Sequence, residues 1–231
     1  MAVNRFFVTA TDTDAGKTYI SSLLLQGFRA LGHAAAGVKP IAAGTDQQGL
    51  NGDALRLMQH SGLALPYAQV NPICYQAAVA PHLAAQITQQ PILESQLTQA
   101  LQDWQQLALQ HLLIEGAGGW LLPISKHRYL ADWVAEQRLP VVLVVGMKLG
   151  CLNHAMLTVR EIERSGCQLV AWVANCIDPQ MALLQENITD LQQRIAAPCL
   201  GVVPFMPAEQ QQSALATQLA AALTAIINKN D

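Results

Sequence analysis

Apolar residues along the chain fall into short unbroken runs separated by longer amphipathic stretches. Six runs have strand length, at residues 5–9, 36–39, 111–115, 140–146, 169–175 and 199–204. They are rich in Val, Leu and Ile and show little polar alternation, the pattern of strands covered on both faces in a parallel sheet. Between them a helical period runs over 18–31, 53–60, 92–110, 130–137, 153–165 and 181–195, and another, 213–227, follows the last strand. Strand alternating with helix predicts βαβ units. The expected fold class is α/β: one doubly wound domain over residues 1–231, with a mostly parallel central sheet and helices on both faces. Residues 62–90 fit this rhythm less well. Pro66, Pro72 and Pro81 interrupt them, and they read mostly as loop with a short helix near 82–86.

Composition narrows the function classes. Hydrophobic residues make up 52% of the 231 positions and charged residues 13%, which excludes a disordered chain and supplies a large core. Thirteen Lys and Arg oppose sixteen Asp and Glu, a formal charge of −3. No basic excess is available for a phosphate backbone, so nucleic acid is not an expected partner. The five cysteines, Cys74, Cys151, Cys167, Cys176 and Cys199, form no CxxC pair. They read as thiols in a reducing compartment. The first residues turn polar after one strand-like run, unlike a signal peptide. The most apolar stretch, 139–147, is far shorter than the roughly 20 residues that span a bilayer. The expectation is a soluble, cytoplasmic protein without a membrane partner. The six His show no HExxH-type spacing, so each reads as core or surface.

In an open α/β sheet, ligands bind beyond the carboxyl ends of the strands. The first strand runs into Ala10-Thr11-Asp12-Thr13-Asp14-Ala15-Gly16-Lys17-Thr18, and a helix follows. Strand, small-residue loop, GKT and helix make a P-loop: backbone N–H groups wrap phosphates, Lys17 reaches the β/γ oxygens and Thr18 ligates Mg2+. Ala10 stands where the first glycine is usual, and five residues separate it from Gly16.

Later strand ends add candidates. Lys39 closes the second strand and faces the same crevice, with Pro40 stiffening the exit. Asp53, in Asn51-Gly52-Asp53, is either a helix N-cap or a Mg2+ ligand. Glu115 ends the third strand, where P-loop proteins place a carboxylate near the metal, and Gly116, Ala117, Gly118 and Gly119 let backbone approach phosphate. Asn175 either reads a base edge or closes a turn, and Asn153 is a candidate N-cap.

Taken together, TDTDAGKT (11–18), VKP (38–40), NGD (51–53), VNP (70–72), APH (80–82), EGAGGW (115–120), ADWV (131–134), VVGMKLGCLNHAML (144–157) and WVAN (172–175) closely resemble the dethiobiotin synthetase family, in family order over nearly the whole chain. The resemblance implies an ATP- and Mg2+-dependent ligase of biotin synthesis. Its small-molecule substrate would be 7,8-diaminononanoate, carboxylated with CO2 or bicarbonate to a carbamate. The γ-phosphoryl of ATP then gives a mixed anhydride, and the second amine closes the ureido ring. By the same resemblance Thr18, Asp53 and Glu115 hold Mg2+, and Lys17 and Lys39 are catalytic. Nucleotide contacts come from Asp14, Ala15, Gly16, Lys17, Thr18, Tyr19, Asp53, Glu115, Gly116, Ala117 and Gly118. Asn175, Pro204, Phe205, Met206 and Gln211 hold the adenosine end. The diamine meets Thr13, Lys39, Ala43, Lys148, Gly150, Cys151 and Asn153, the last group reaching across a homodimer interface. Ala43 replaces a Ser common in the family. Gln211 stands where an acidic nucleotide contact is usual, with Glu209 as the nearby acid.

Two rivals share the fold class. A partitioning or cell-division switch ATPase would carry an extra Lys early in the loop, where this chain has Thr11-Asp12-Thr13, and a basic DNA patch or membrane tail. An amide-forming ligase for a large acid would need a glutamine-hydrolysing domain, for which 231 residues leave no room.

Overall fold

The computed structural model of the chain describes residues 3–206 and 209–230. Its centre is β1 (Asn4–Ala10), flanked by β5 (His111–Glu115) and β6 (Val141–Met147). Outside them lie β2 (Ala35–Val38) on one side, and β7 (Leu169–Cys176) and β8 (Cys199–Val203) on the other. The order is β2-β5-β1-β6-β7-β8, and every pairing is parallel. Parallel neighbours need crossovers. These contain α1 (Lys17–Ala30), α2 (Gly52–His60), α5 (Glu94–Gln105), α6 (Leu130–Glu136), α7 (Cys151–Arg164) and α8 (Leu184–Arg194); α9 (Glu209–Asn230) follows the last strand. This is the doubly wound α/β sheet that the apolar runs predict. The chain switches direction around β1, so the crevice at its carboxyl end is the natural ligand site.

Burial on both faces explains why the strands lack polar alternation. Phe6 and Val8 pack with Leu23, Leu24 and Phe28 of α1 and Leu219 and Leu223 of α9. Phe7 points to the opposite layer, with Trp104 of α5 and Trp133 of α6. Further along that layer, Leu143, Val145 and Trp172 meet Val159 of α7 and Leu191 of α8.

The structure corrects the loop expected over 62–90. That segment contains α3 (Tyr67–Val70), β4 (Ile73–Tyr75) and α4 (Pro81–Thr88). β4 pairs in parallel with β3 (Ile41–Ala43) in a second, two-stranded sheet. Three-residue strands are too short to show a period, and Pro40 and Pro72 stand just before them. Pro81 does not break a helix; it occupies the first turn of α4, where its missing N–H costs nothing. The small sheet has a positional role. Lys39 N–H donates to the Val70 carbonyl at 2.8 Å, and Asn71 Nδ2 donates to the Lys39 carbonyl at 2.7 Å. Lys39 is thereby pinned just past the end of β2.

At the amino end of the sheet, away from the crevice, His111 stacks on Phe28 with ring centroids 4.1 Å apart. Its Nε2 lies 3.0 Å from His33 Nδ1. Burial, and then the neighbouring His33, push the His111 pKa down to about 4. The unfolded chain therefore takes up this proton first as pH falls. The stability it represents is present above about pH 6.5 and is lost on acidification toward pH 4. Urea unfolding at pH 7.5 and 4.5 should show a His111-dependent loss of roughly 2–3 kcal/mol. His111→Phe, which keeps the stack, should lack that share; equal pH dependence in both proteins would refute the assignment.

Candidate active site

The loop after β1 is held from three sides. Thr11 N–H donates to the Val144 carbonyl at 3.0 Å, and Gly146 N–H donates to Thr11 Oγ1 at 3.3 Å. Asn175, buried at the end of β7, donates from Nδ2 to the Ala15 carbonyl at 2.9 Å. Gly16 has φ of 91°, and a Cβ there would lie 2.1 Å from Asn175 Nδ2. Only glycine satisfies both the left-handed backbone and the close amide. Ala10 belongs to β1 and is fully buried, so the loop begins without the glycine usual at that point. No side chain caps α1, which leaves its first N–H groups for an anion.

Behind the loop lies a compact charge cluster. Lys39 Nζ is 2.7 Å from Glu115 Oε1 and 2.9 Å from Asp53 Oδ2, and it donates to the Gly116 carbonyl at 3.2 Å. Thr18 Oγ1 donates to the same Glu115 Oε1 at 2.7 Å. Lys17 Nζ donates to the Gly118 carbonyl at 2.6 Å, and Gly118 presents that oxygen from a φ of 60°. Burial alone would lower the Lys39 pKa; Glu115 and then Asp53 outweigh burial and hold it above the usual lysine value. Burial works against the Asp53 carboxylate, but Lys39 overcomes it and keeps the pKa low. Lys17 has no such carboxylate contact. Burial first, and then the charge of Lys39, bring it down to about 8.

The cluster removes one of the two roles open for Asp53, that of helix N-cap. Asn51 is the N-cap of α2, its side chain accepting from Asp53 and Ala54 N–H. Asp53 is thereby free to face Lys39 and the loop. Glu115 Oε2 is buried and, among the described residues, without a hydrogen-bond partner. Thr18, Asp53 and Glu115 are oxygen donors gathered around one ammonium, with one orphaned carboxylate oxygen. That donor set suits a hard divalent cation such as Mg2+ accompanying phosphates.

A cavity of about 710 Å³ opens over this cluster. Of the residues expected from sequence, Thr13, Asp14, Gly16, Lys17, Thr18, Tyr19, Lys39, Ala43, Asp53, Ala117 and Gly118 line it. Ala15 and Glu115 are buried beneath it, and Gly116 meets Lys39 through its carbonyl. Pro204, Phe205 and Met206 follow β8, whose Val203 pairs with Asn175; they therefore extend the same end of the sheet beside the loop. Gln211 is exposed in the first turns of α9, and the Glu209 side chain lies outside the described residues. Another group stands apart from the cavity. Lys148 pairs with Asp12 at 2.9 Å, Gly150 and Asn153 are exposed, and Cys151, the first residue of α7, is buried. Gly150, with φ of 92°, caps α7; Asn153 sits in the first turn and is not the cap.

Sequence reasoning missed several walls. Ala42, Val79, Ala80, Pro81 and Leu122 supply an apolar side, and Arg56 supplies a further cation. The APH run over 80–82 was visible but carried no chemical signal. Arg56 lies three residues after Asp53, the spacing that places two helical residues on one face.

A parallel sheet with a glycine-lysine-threonine loop after its central strand, backed by a Lys and two carboxylates, defines the P-loop nucleotide-binding class. Solved structures share that fold at low identity. A ParA family ATPase from Chlorobium tepidum matches with a TM-score of 0.56 and 12% identity, over 98% of this chain and 97% of the other. A chain of the MinC:MinD cell division protein complex of Aquifex aeolicus matches with a TM-score of 0.55 and 11% identity, over 98% and 95%. A family model described as an AAA domain matches residues 4–213. Curated relatives are far more similar. ATP-dependent dethiobiotin synthetase BioD of Cellvibrio japonicus is 49% identical over 88% of this chain and 90% of that protein. The Pseudomonas paraeruginosa protein of that name is 45% identical over 93% and 95%, and BioD 1 of Escherichia coli is 43% identical over 91% and 94%. The chain belongs to the ATP-dependent dethiobiotin synthetase family.

Lys39→Met should destabilise the fold by about 3–5 kcal/mol, because it leaves the fully buried Glu115 without its cation. Adding Glu115→Gln should restore much of that loss while leaving the protein inactive. Denaturant unfolding of the single and double variants checks this, and a double variant no more stable than Lys39→Met would contradict it.

Proposed function

We propose that this chain carries out the ring closure that makes dethiobiotin, using ATP, Mg2+ and CO2 or bicarbonate with 7,8-diaminononanoate. One observation carries the reading: Lys39, buried between Asp53 and Glu115, faces the same cavity as the P-loop residues Lys17 and Thr18. A carbamate is an anion that decomposes in water. It needs fixed positive charge and a shielded site, which Lys39 and the cavity walls supply. The loop N–H groups and Lys17 hold the phosphates, and Thr18, Asp53 and Glu115 would hold Mg2+, which neutralises phosphate charge when bound. Asn175 fixes the loop carbonyl of Ala15, and Asn175, Pro204, Phe205, Met206 and Gln211 would receive the adenosine end. After transfer, the free amine attacks the carbamoyl carbon, the C–O bond to phosphate breaks, and phosphate departs with the electron pair. No Ser or Cys nucleophile is required.

The switch-ATPase alternative has only the fold in its favour. Its structural relatives stand at 11–12% identity, against 43–49% for the synthetases. Among the described residues no helix is long and apolar enough to cross a membrane.

The proposed substrate group Lys148, Gly150, Cys151 and Asn153 lies outside the cavity of its own chain. A homodimer in which this turn completes the neighbour's site accounts for that placement. Exposed Leu149 and Leu157 beside the turn supply apolar surface for such a contact.

ATP turnover should require both the diamine and bicarbonate, with labelled bicarbonate carbon recovered in a cyclic urea. Turnover indifferent to the diamine yet stimulated by DNA or lipid would favour the switch ATPase. Lys17→Ala should remain folded and lose about 10²–10³ in rate, the typical worth of one positioned charge. Near-normal turnover would remove the P-loop assignment.

The shared site has its own test. Lys17→Ala, which should stay folded, and Asn153→Trp should each be nearly inactive. After subunit exchange about half of the dimers are mixed, and each mixed dimer has one intact site, so activity should return to roughly a quarter of wild type. Exchange confirmed by mass spectrometry without any recovery would rule out the cross-subunit site.

A further inference from the structure

A second recess, of about 490 Å³, lies between α1, α2 and the start of α9. Tyr19 and Ser22 line it from α1, Arg56 and His60 from α2, and Gln212 from α9. Among the described residues, every one lining it is polar or hydroxyl-bearing, and none is a carboxylate. Tyr19 and Arg56 are at the same time walls of the catalytic cavity, so the two spaces share a partition. Arg56 is exposed and forms no ion pair among the described residues, whereas Lys39, Lys148 and Arg128 are all paired. Asp53, one turn away on α2, is already engaged by Lys39. Arg56 and His60 both line this space, and burial, then the charge of Arg56, lower the pKa of His60. A polar groove with, among the described residues, an unpaired guanidinium, a histidine and no acid is complementary to an anion with several acceptor oxygens.

We propose that this groove is a phosphate subsite and that Arg56 is its binding residue. A guanidinium offers five donors in a planar fork, which suits tetrahedral phosphate better than a point charge does. The ligand has two possible sources next to the partition: the inorganic phosphate freed at ring closure, or a phosphoryl group of the nucleotide. The first source rests on the ligase reading; the subsite itself does not.

Binding of inorganic phosphate to the full-length protein saturated with ADP tests the proposal, by calorimetry or phosphorus NMR. Arg56→Gln removes the charge, and Gln212→Glu places a carboxylate in the groove at a residue that does not line the catalytic cavity. Losing one charge-assisted contact costs about tenfold in affinity or more, so each variant should bind phosphate about tenfold more weakly. Loss for phosphate with ADP affinity intact identifies the released product as the ligand; a parallel loss for ADP identifies the nucleotide. Unchanged binding of both ligands in both variants overturns the subsite. So does a loss confined to Arg56→Gln, which would place the phosphate in the catalytic cavity. Thermal unfolding confirms that the variants are folded. The measurement uses no diamine, so failure of ring closure in a separate assay would sink the ligase reading and leave this result standing.

Discussion

The buried ammonium of Lys39 governs the active end of this molecule. Glu115 is wholly enclosed at the end of a central strand, a position where an unpaired carboxylate would be expensive. Lys39, itself nearly enclosed, supplies the compensating charge and takes Asp53 as a second partner. Each of the three comes from a different part of the chain: the end of β5, the exit of β2, the first turn of α2. The pairing of one ammonium with two carboxylates therefore ties the sheet, the second strand's exit and the neighbouring helix into one arrangement. A cluster of this kind is poor value for stability alone, since buried ion pairs rarely outperform packed apolar side chains. Its placement under a phosphate loop explains it better. A carboxylate pair held around one cation is ready to share another, and a lysine held by carboxylates is protonated when an anion arrives.

The P-loop depends on the same economy of neighbours. Its shape is set less by its own residues than by Asn175 and the β6 backbone behind it. The amide of Asn175 excludes any side chain at residue 16, and its donation to the Ala15 carbonyl fixes the start of α1. Val203 pairs with Asn175, so the segment leaving β8 is delivered beside the loop by strand register alone. The proposed adenosine contacts thus follow from sheet topology, not from a separate binding motif.

Much of this was legible in the sequence because its signals are local. Strands buried on both faces write themselves as continuous apolar runs, and GKT after such a run marks its own position in the fold. Lys39, Asp53 and Glu115 could be placed at strand ends or helix starts, and the family resemblance joined Asp53 and Glu115 at one metal, but the pairing of Lys39 with both links positions apart in sequence and leaves no local signal. The ambiguity of Asp53 was of this sort: only the structure shows Asn51 taking the cap and releasing it. The small sheet of β3 and β4 was illegible for a different reason. Two three-residue strands carry no period, and the prolines beside them signal interruption. Arg56 gave no signal either, because a charged residue on an amphipathic helix reads as solvated surface until the cavity beside it is seen.

The small sheet and the start of α4 also give the cavity its apolar side. The P-loop side is polar and cationic, fit for phosphate and carbamate. The facing side is built from Ala42 and Ala43 of β3, Val79 and Ala80 before α4, Pro81 at its start, and Leu122. These side chains offer no hydrogen-bond partners, so a wall of them favours methylene groups over water. A diamine on an aliphatic acid has this division in its own structure, two amines toward one end and a hydrocarbon chain beyond. The apolar wall would align the chain while Lys39 and the loop take the amine-derived anion. A fold of this kind hosts many functions. What such a fold acts on is decided by what stands opposite the phosphates, and here that is the small sheet and the start of α4.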